Sequence, residues 1–479
     1  MGAILVCKKN QSYEVFFKLL VDDYKEIFIG NSDRIPILFS YDNWENYLIL
    51  QNGNETQMYS YKDRLISRKM NLPRLAPNHS SAFIDIDGDL KAELILITQE
   101  KDKKAINIMQ QVQNGYEIKE KILIPQITGP VVFADFDASG ANDIAYISLE
   151  NKEYFLNILY NCRNKLKGAS KNKAKSNHSD HSKYMDRLFQ TNNSKFFYRK
   201  RLNLFQNLQP MLQANDFLHN LPYGIIVSDI NLDSYPDLLL TFKDANNTQY
   251  VRVLLNKKDK DDKHYFEPLQ IQPNDLSGIL SASFVDLKGE RKQGLVINRI
   301  NNGIPVIQYI ESNISKDYYK LFAITMSPQT KKDEYQGYVP GISYKLHNDE
   351  TNMVRIGNQM SQSSFLHLQP PSVVFGLGSI NYLIDNFYIG GPPSSQMNQI
   401  YEVGTKILPN SYLVCKPHNK GVHVELYISL AQYAYNIAYV FCLVLFLNCL
   451  FVIYSYRRDK LREKTAKKKE SHLYNFSAL

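Results

Sequence analysis

Three short acidic segments carry the residue types and spacing most able to do chemistry: DIDGDLKAE at 85–93, DFDASGAND at 135–143 and DINLDSYPD at 229–237. Counted from the first aspartate, positions 1, 3, 5 and 9 hold oxygen donors in every copy. They are Asp85, Asp87, Asp89 and Glu93; Asp135, Asp137, Ser139 and Asp143; and Asp229, Asn231, Asp233 and Asp237. Alternate side chains of a tight loop converge, so donors at 1, 3 and 5, a main-chain carbonyl near 7 and a carboxylate at 9 can surround a hard cation. Loose oxygen coordination at about 2.3 to 2.6 Å suits calcium, whereas magnesium demands a stricter octahedron. The expectation is a structural Ca2+ in each loop.

Two other readings compete. An EF-hand shares the DxDxD opening but needs a bidentate Glu at position 12 and flanking helices; position 12 here is Leu96, Tyr146 and Leu240. Plain hairpin turns also favour Asp, Asn, Gly and Ser, yet turn chemistry alone does not ask for acids at both 1 and 9. The segments SAFI, VVFA and IIVS precede the loops, and LILIT, IAYIS and LLLTF follow them. These short apolar, largely β-branched or aromatic runs predict buried strands. The unit is strand, metal loop, strand.

First positions fall at 85, 135 and 229, and a degenerate copy, FVDLKGERKQGLVI, begins its loop at Asp286. Discounting a basic insert at 163–201, the copies recur every 50 to 57 residues. Repeats of that length, each with several short strands, predict propeller blades over 1–330. The fourth copy has Lys288 at position 3 and Gly294 at position 9, so it is expected to keep the fold and lose the metal. Upstream, VDDYKEIFIG and RIPILFSYDN are expected to be later strands of one ligand-free blade. That blade begins abruptly and MGAILVCKKNQSYEVFF holds no adequate signal-peptide core, so a missing start that included the signal is expected.

Charge sharpens the picture. The whole chain is +8, with +10 in 163–201 and +5 in 457–479, which leaves −7 for the remainder. The folded body is mildly acidic, and a general nucleic-acid surface is not expected. The insert has the composition of a solvated, disordered loop. No Asp, Glu, Lys or Arg occurs from 426 to 456, enough apolar chain to cross about 30 Å of hydrocarbon. A transmembrane helix is expected over 433–456, with a basic tail at 457–479 held in the cytoplasm and everything earlier lumenal or extracellular, a single-pass type I arrangement. Sequons at Asn54, Asn78, Asn177, Asn192, Asn246 and Asn313 then lie where glycans are added. Cys7, Cys162 and Cys415 permit at most one ectodomain disulfide, with the pairing open.

Between 331 and 425, runs such as GYVPGISYKL, MVRIGNQM, SVVFGLG, YLIDNFYIG and SYLVCKP are separated by Gly, Pro and Asn with no long helical period. They predict a β-sandwich. Gly376, Gly378, Gly390 and Gly391 are taken for turn residues. No GxSxG, HExxH, P-loop or GxGxxG following a strand occurs, so a catalytic role is not expected.

The acidic loops resemble the FG-GAP repeats of integrin α-chain propellers. LHLQPPSVVFGLGSINYLIDNFYIGGP at 366–392, ILPNSYLVCKPHN at 407–419, the apolar helix and the ending REKTAKKKESHLYNFSAL together resemble the T-cell immunomodulatory protein family, also called integrin α FG-GAP repeat containing protein or linkin. The resemblance implies an all-β ectodomain: an FG-GAP β-propeller, a C2-like β-sandwich beside the membrane, one transmembrane helix and a short tail. It further implies a calcium-binding, glycosylated surface protein of the plasma membrane or secretory pathway that binds protein or glycan partners, as in cell adhesion. The alternative is a secretory-pathway cargo receptor or trafficking adaptor read by cytosolic partners of its tail. An enzyme accessory role, as where such propellers stand beside phospholipase domains, would need a further domain that no unassigned segment is long enough to supply.

Overall fold

The computed structural model describes most of residues 2–476; short connections and the stretches 163–196, 212–224, 270–276, 288–292, 328–336, 362–371 and 392–399 lie outside the described residues. It forms two units, 1–427 and 428–479.

The first unit opens with six antiparallel sheets in chain order. The first contains β1 (Gly2–Lys9), β2 (Ser12–Leu19) and β3 (Glu26–Ser32), and the second β4 (Ile37–Tyr41), β5 (Glu45–Asn52), β6 (Glu55–Ser60) and β7 (Ser67–Met70). The third has β8 (Ala82–Ile84), β9 (Glu93–Gln99), β10 (Lys103–Val112) and β11 (Gly115–Pro125), and the fourth β12 (Val132–Ala134), β13 (Asp143–Glu150), β14 (Glu153–Asn161) and β15 (Phe197–Leu202). The fifth has β16 (Gln209–Pro210), β17 (Ile225–Ser228), β18 (Asp237–Lys243), β19 (Gln249–Lys258) and β20 (His264–Leu269). The sixth has β21 (Ile279–Val285), β22 (Gly294–Asn301) and β23 (Ile304–Ile310).

Side chains alternate across a strand, and here both faces of the inner strands are apolar. Leu94 and Leu96 of β9 pack with β4 and β5 residues, while Ile95 and Ile97 pack with Ile144 and Tyr146 of β13. Leu238 and Leu240 of β18 face the fourth sheet, and Leu239 faces Phe284 and Leu295 of the sixth. The second to sixth sheets therefore pack in succession, each burying a face against its chain neighbour, the packing of propeller blades. The contiguous apolar runs seen in the sequence follow from this two-sided burial.

Several boundaries differ from expectation. VDDYKEIFIG ends in β3, whereas RIPILFSYDN contributes β4, so the two segments belong to successive sheets. β4 and β5 pair Tyr41 with Glu45, a connection too short for a nine-residue metal loop. The basic insert also ends sooner than 201: Phe197–Leu202 is a strand, pinned because Arg199 bonds Asn157 Oδ1 at 2.8 Å and Glu150 Oε1 at 2.8 Å. The remainder of that insert lies outside the described residues.

The sandwich follows in the same unit. One sheet orders β27 (Val373–Gly378), β24 (Tyr319–Thr325), β30 (Ser411–His418) and β31 (Gly421–Ile428). The other orders β26 (Met353–Gln359), β25 (Ile342–Asn348), β28 (Ile384–Gly390) and β29 (Ile400–Ile407). Its first strand thus starts before residue 331. Tyr344, Leu346, Phe387, Ile389, Leu321 and Leu413 fill the space between the sheets.

In the second unit α1 (Ala431–Phe476) is one helix of 46 residues. Its stretch 437–470 contains a window of mean hydropathy 2.5 and is long and apolar enough to cross a membrane. The helix continues past Arg457 through the basic segment that the sequence set apart as a tail.

Candidate metal centre

Each acidic loop joins the first two strands of its sheet's core. The residue before position 1 pairs with position 9 in every copy: Ile84 with Glu93, Ala134 with Asp143 and Ser228 with Asp237. Strand pairing thus brings the two ends of the ligand series together. In the sixth sheet Val285 pairs with Gly294 in the same way, so the fold persists where the position 9 carboxylate is gone. Lys288 lies outside the described residues.

The three loops share one backbone. Position 4 is left-handed in all of them, at Gly88 (φ 73°), Ala138 (φ 56°) and Leu232 (φ 61°), and so is position 6, at Leu90 (φ 68°), Gly140 (φ 75°) and Ser234 (φ 80°). Four of these six residues are not glycine, and such conformations cost about 1–3 kcal/mol where the surroundings enforce them. The turns aim successive amides at the position 1 carboxylate. Asp85 accepts from Gly88 N at 2.8 Å, Asp89 N at 3.2 Å and Leu90 N at 2.7 Å; Asp135 from Ser139 N and Gly140 N at 2.7 and 2.8 Å; Asp229 from Asp233 N and Ser234 N at 3.1 and 2.8 Å. Position 9 closes the loop by accepting the amide of position 2: Ile86 N to Glu93, Phe136 N to Asp143 and Ile230 N to Asp237, at 2.9–3.0 Å.

Among the described residues, carboxylate oxygens gather closely at the first two loops, without Glu93 in the first. Ligand atoms of Asp85, Asp87 and Asp89 lie within 4.8 Å of one another, as do those of Asp135, Asp137 and Asp143. In the third loop Asn231 donates from Nδ2 to Asp233 Oδ2 at 2.9 Å. The position 1 and 9 carboxylates are buried except for Glu93, which is half-buried, and burial first, neighbouring carboxylates second, pushes Asp85 and Asp135 up to about 7. Burial likewise raises Glu93 and Asp237 to about 8 and Asp143 and Asp229 well above the usual range. Asp87 Oδ1 is buried with no hydrogen-bond partner. Clustered, desolvated, oxygen-only donors with an unsatisfied lone pair fit a hard divalent cation, which would supply the missing positive charge.

Several residues that shape these loops carried no sequence signal. Asn161 and Asn256 follow position 9 by 18 and 19 residues. Their amides donate to Asp143 Oδ1 at 2.6 Å and Asp237 Oδ1 at 2.8 Å, and their side chains to the position 2 carbonyls of the preceding loops, Ile86 and Phe136. Lys119 approaches Asp87 Oδ2 at 3.5 Å and Glu93 Oε1 at 3.8 Å. Gly376 and Gly390 are corrected from turn residues to strand residues of β27 and β28. A Cβ on Gly376 would overlap Asp229 Oδ2, and one on Gly390 would overlap the Leu90 carbonyl oxygen. Gly378, at φ 60°, does end its strand. Cys162 and Cys415 are both buried and are not joined to each other; burial pushes Cys415 up to about 12.

Comparison with known proteins agrees with the resemblance read from the sequence. The family model described as "ITFG1, C2 domain" matches residues 334–425, within the sandwich. Human T-cell immunomodulatory protein is 24% identical over an alignment that covers 100% of this chain and 79% of the relative. The T-cell immunomodulatory protein homolog of Plasmodium falciparum is 22% identical, covering 90% of this chain and 67% of its own length, and the Mus musculus protein is 23% identical, covering 100% and 79%. Among solved structures, exotype rhamnogalacturonan lyase YesX matches at a TM-score of 0.26 and 13% identity over 88% of this chain and 79% of that one, too loosely to carry an argument.

Proposed function

We propose that this chain is a single-pass type I membrane glycoprotein of the plasma membrane or secretory pathway. Its β-sheet ectodomain is an FG-GAP propeller that holds structural calcium in three loops and binds protein or glycan partners. The observation that carries the calcium reading is the common loop backbone, left-handed at positions 4 and 6 in every copy. Unrelated surface turns have no reason to repeat a strained conformation that gathers carboxylates in the protein interior. In this reading the ligand residues serve stability, and recognition falls to other surfaces of the sheets.

Homology extends to human and Plasmodium proteins of the same name. A role common to a mammal and a unicellular parasite is more general than action on T cells, and partner binding of the adhesion kind meets that condition. The helix with its basic segment supports a cytoplasmic C-terminus, and the exposed sequon residues Asn54 and Asn246 are suited to carry glycans. The non-enzymatic reading draws on the acids clustered among the described residues, which the calcium reading assigns to metal loops.

The test is thermal unfolding of the full chain in detergent with excess calcium and with EGTA. Calcium at a hundred times its Kd stabilises by about 2.7 kcal/mol per site, which raises Tm by several degrees. Asp143→Asn and Asp237→Asn should each diminish the rise. An identical Tm in both buffers overturns the calcium reading.

The trafficking reading draws on the continuity of α1 through 457–476: a helical basic segment offers cytosolic partners an ordered surface. Deleting residues 458–479 and finding location changed but ectodomain binding intact favours it over adhesion.

A further inference from the structure

We propose that the sandwich is a clamp on the metal loops, so that cation binding and sandwich docking are thermodynamically linked. This rests on the calcium reading above and adds to it the residues that transmit the effect. Both parts lie in the same compact unit, 1–427.

The contact is with the ligand loops themselves. Gly378 of β27 donates its amide to the carbonyl of Leu232, position 4 of the third loop, at 2.8 Å, and Ser234 at position 6 returns a bond from Oγ to the Gly376 carbonyl at 2.8 Å. Gly376 lies so close to Asp229 that no side chain fits between them, and Asp229 is the position 1 ligand. The docked strand and the bound ion therefore require the same carboxylate in the same place. At the first loop, Lys345 Nζ donates to the Gly88 carbonyl at 2.9 Å and Asn358 Oδ1 accepts the Asp85 amide at 3.2 Å. Between the second and third loops, Arg355 Nε donates to the Ser234 carbonyl at 3.2 Å, and its charge acts on both Asp135 and Asp233.

The direction of the linkage follows. An ion fixes the position 1 carboxylate and the left-handed backbone that presents Leu232 and Gly88 to the sandwich. Without it, repulsion among the desolvated carboxylates works against that shape, and the surface complementary to Gly376 and Gly390 is lost. Linkage is reciprocal, so loosening the sandwich must weaken ion binding by the same factor.

The experiment uses the full chain in detergent, as wild type, Gly376→Ala and Asn358→Ala. Amide hydrogen exchange is followed with calcium and with EGTA, and calcium binding is measured by calorimetry. EGTA is expected to accelerate exchange at Gly378 and Asp85, whose amides report the docking contacts directly. Gly376→Ala is expected to weaken at least one calcium site by about tenfold, and Asn358→Ala, which removes the bond to the Asp85 amide without changing charge, by a smaller factor. Should Gly376→Ala fail to fold, Asn358→Ala decides alone. If calcium binds the wild type but Gly378 exchanges equally in both buffers and Asn358→Ala binds as wild type does, the clamp is refuted and the calcium reading stands. If calcium does not bind at all, both fall.

Discussion

Asn256 fastens one sheet to the loop of the sheet before it: its amide donates to Asp237 Oδ1 at 2.8 Å while its Nδ2 donates to the Phe136 carbonyl at 2.9 Å. Asn161 repeats the arrangement one sheet earlier, between Asp143 and Ile86. Both side chains are buried, so truncation strands a carbonyl in the interior. Asn256→Ala and Asn161→Ala should each cost about 1–3 kcal/mol, measured as a lower midpoint of urea unfolding at unchanged slope. A loss within experimental error for both would show that water replaces the strap.

The left-handed turns make a second prediction. Gly140 at φ 75° occupies a conformation in which a β-branched side chain is strained. Gly140→Val should destabilise by about 1–3 kcal/mol, with the deficit present in EGTA as well as in calcium because the strain is in the backbone. Ala138→Gly at φ 56° should be neutral or slightly stabilising in the same unfolding assay. If Gly140→Val matches wild type, the loop adopts another backbone.

The parts legible in the sequence were those written in contiguous residues. Contiguous apolar runs marked strands such as β9 and β18, and offsets 1, 3, 5 and 9 marked the loop donors because one loop supplies them all. The cross-sheet partners had no such local pattern. Asn161 and Asn256 resemble any strand asparagine until the neighbouring sheet places a carbonyl opposite them. Gly376 has the composition of a turn residue, and only the approach of Asp229 explains why a strand needs glycine there. β4 was assigned to the wrong sheet because its connection to β5 is short and carries no ligand signature.

Lys119 illustrates a further hidden relationship. In the pairing of β10 with β11, Ile108 faces Glu120 and Met109 faces Ile118, which leaves Lys119 as the extra residue of a bulge. Bulges redirect side chains, and this one brings an ammonium to Asp87 and Glu93, at positions 3 and 9 of the first loop. It acts there as a tethered competitor of the ion proposed for that loop. Lys119→Met should tighten one calcium site by roughly 1 kcal/mol, about fivefold, with the gain shrinking at high salt. Calorimetry at low and high ionic strength checks both points, and unaltered affinity at low salt would remove Lys119 from the account.

His79 sets a pH dependence away from the loops. Its Nδ1 lies 3.3 Å from the Ser81 amide, which donates to it, and its Nε2 lies 2.9 Å from the Ile35 carbonyl, the pattern of a neutral ring protonated at Nε2. Burial first, with Arg34 adding repulsion, lowers its pKa to about 4, against a stabilising contribution from the Ile35 carbonyl. The unfolded chain binds a proton there near pH 6.5 while the folded chain does not. The sign is therefore a loss of stability as pH falls from about 6.5 towards 4, and the loss reaches about 2 kcal/mol by pH 5. Comparison of wild type with His79→Gln at each pH, in saturating calcium, isolates this contribution from the carboxylates. The advantage of wild type should shrink by about that amount between pH 7 and pH 5; a difference independent of pH means that His79 is solvated or already charged in the folded chain.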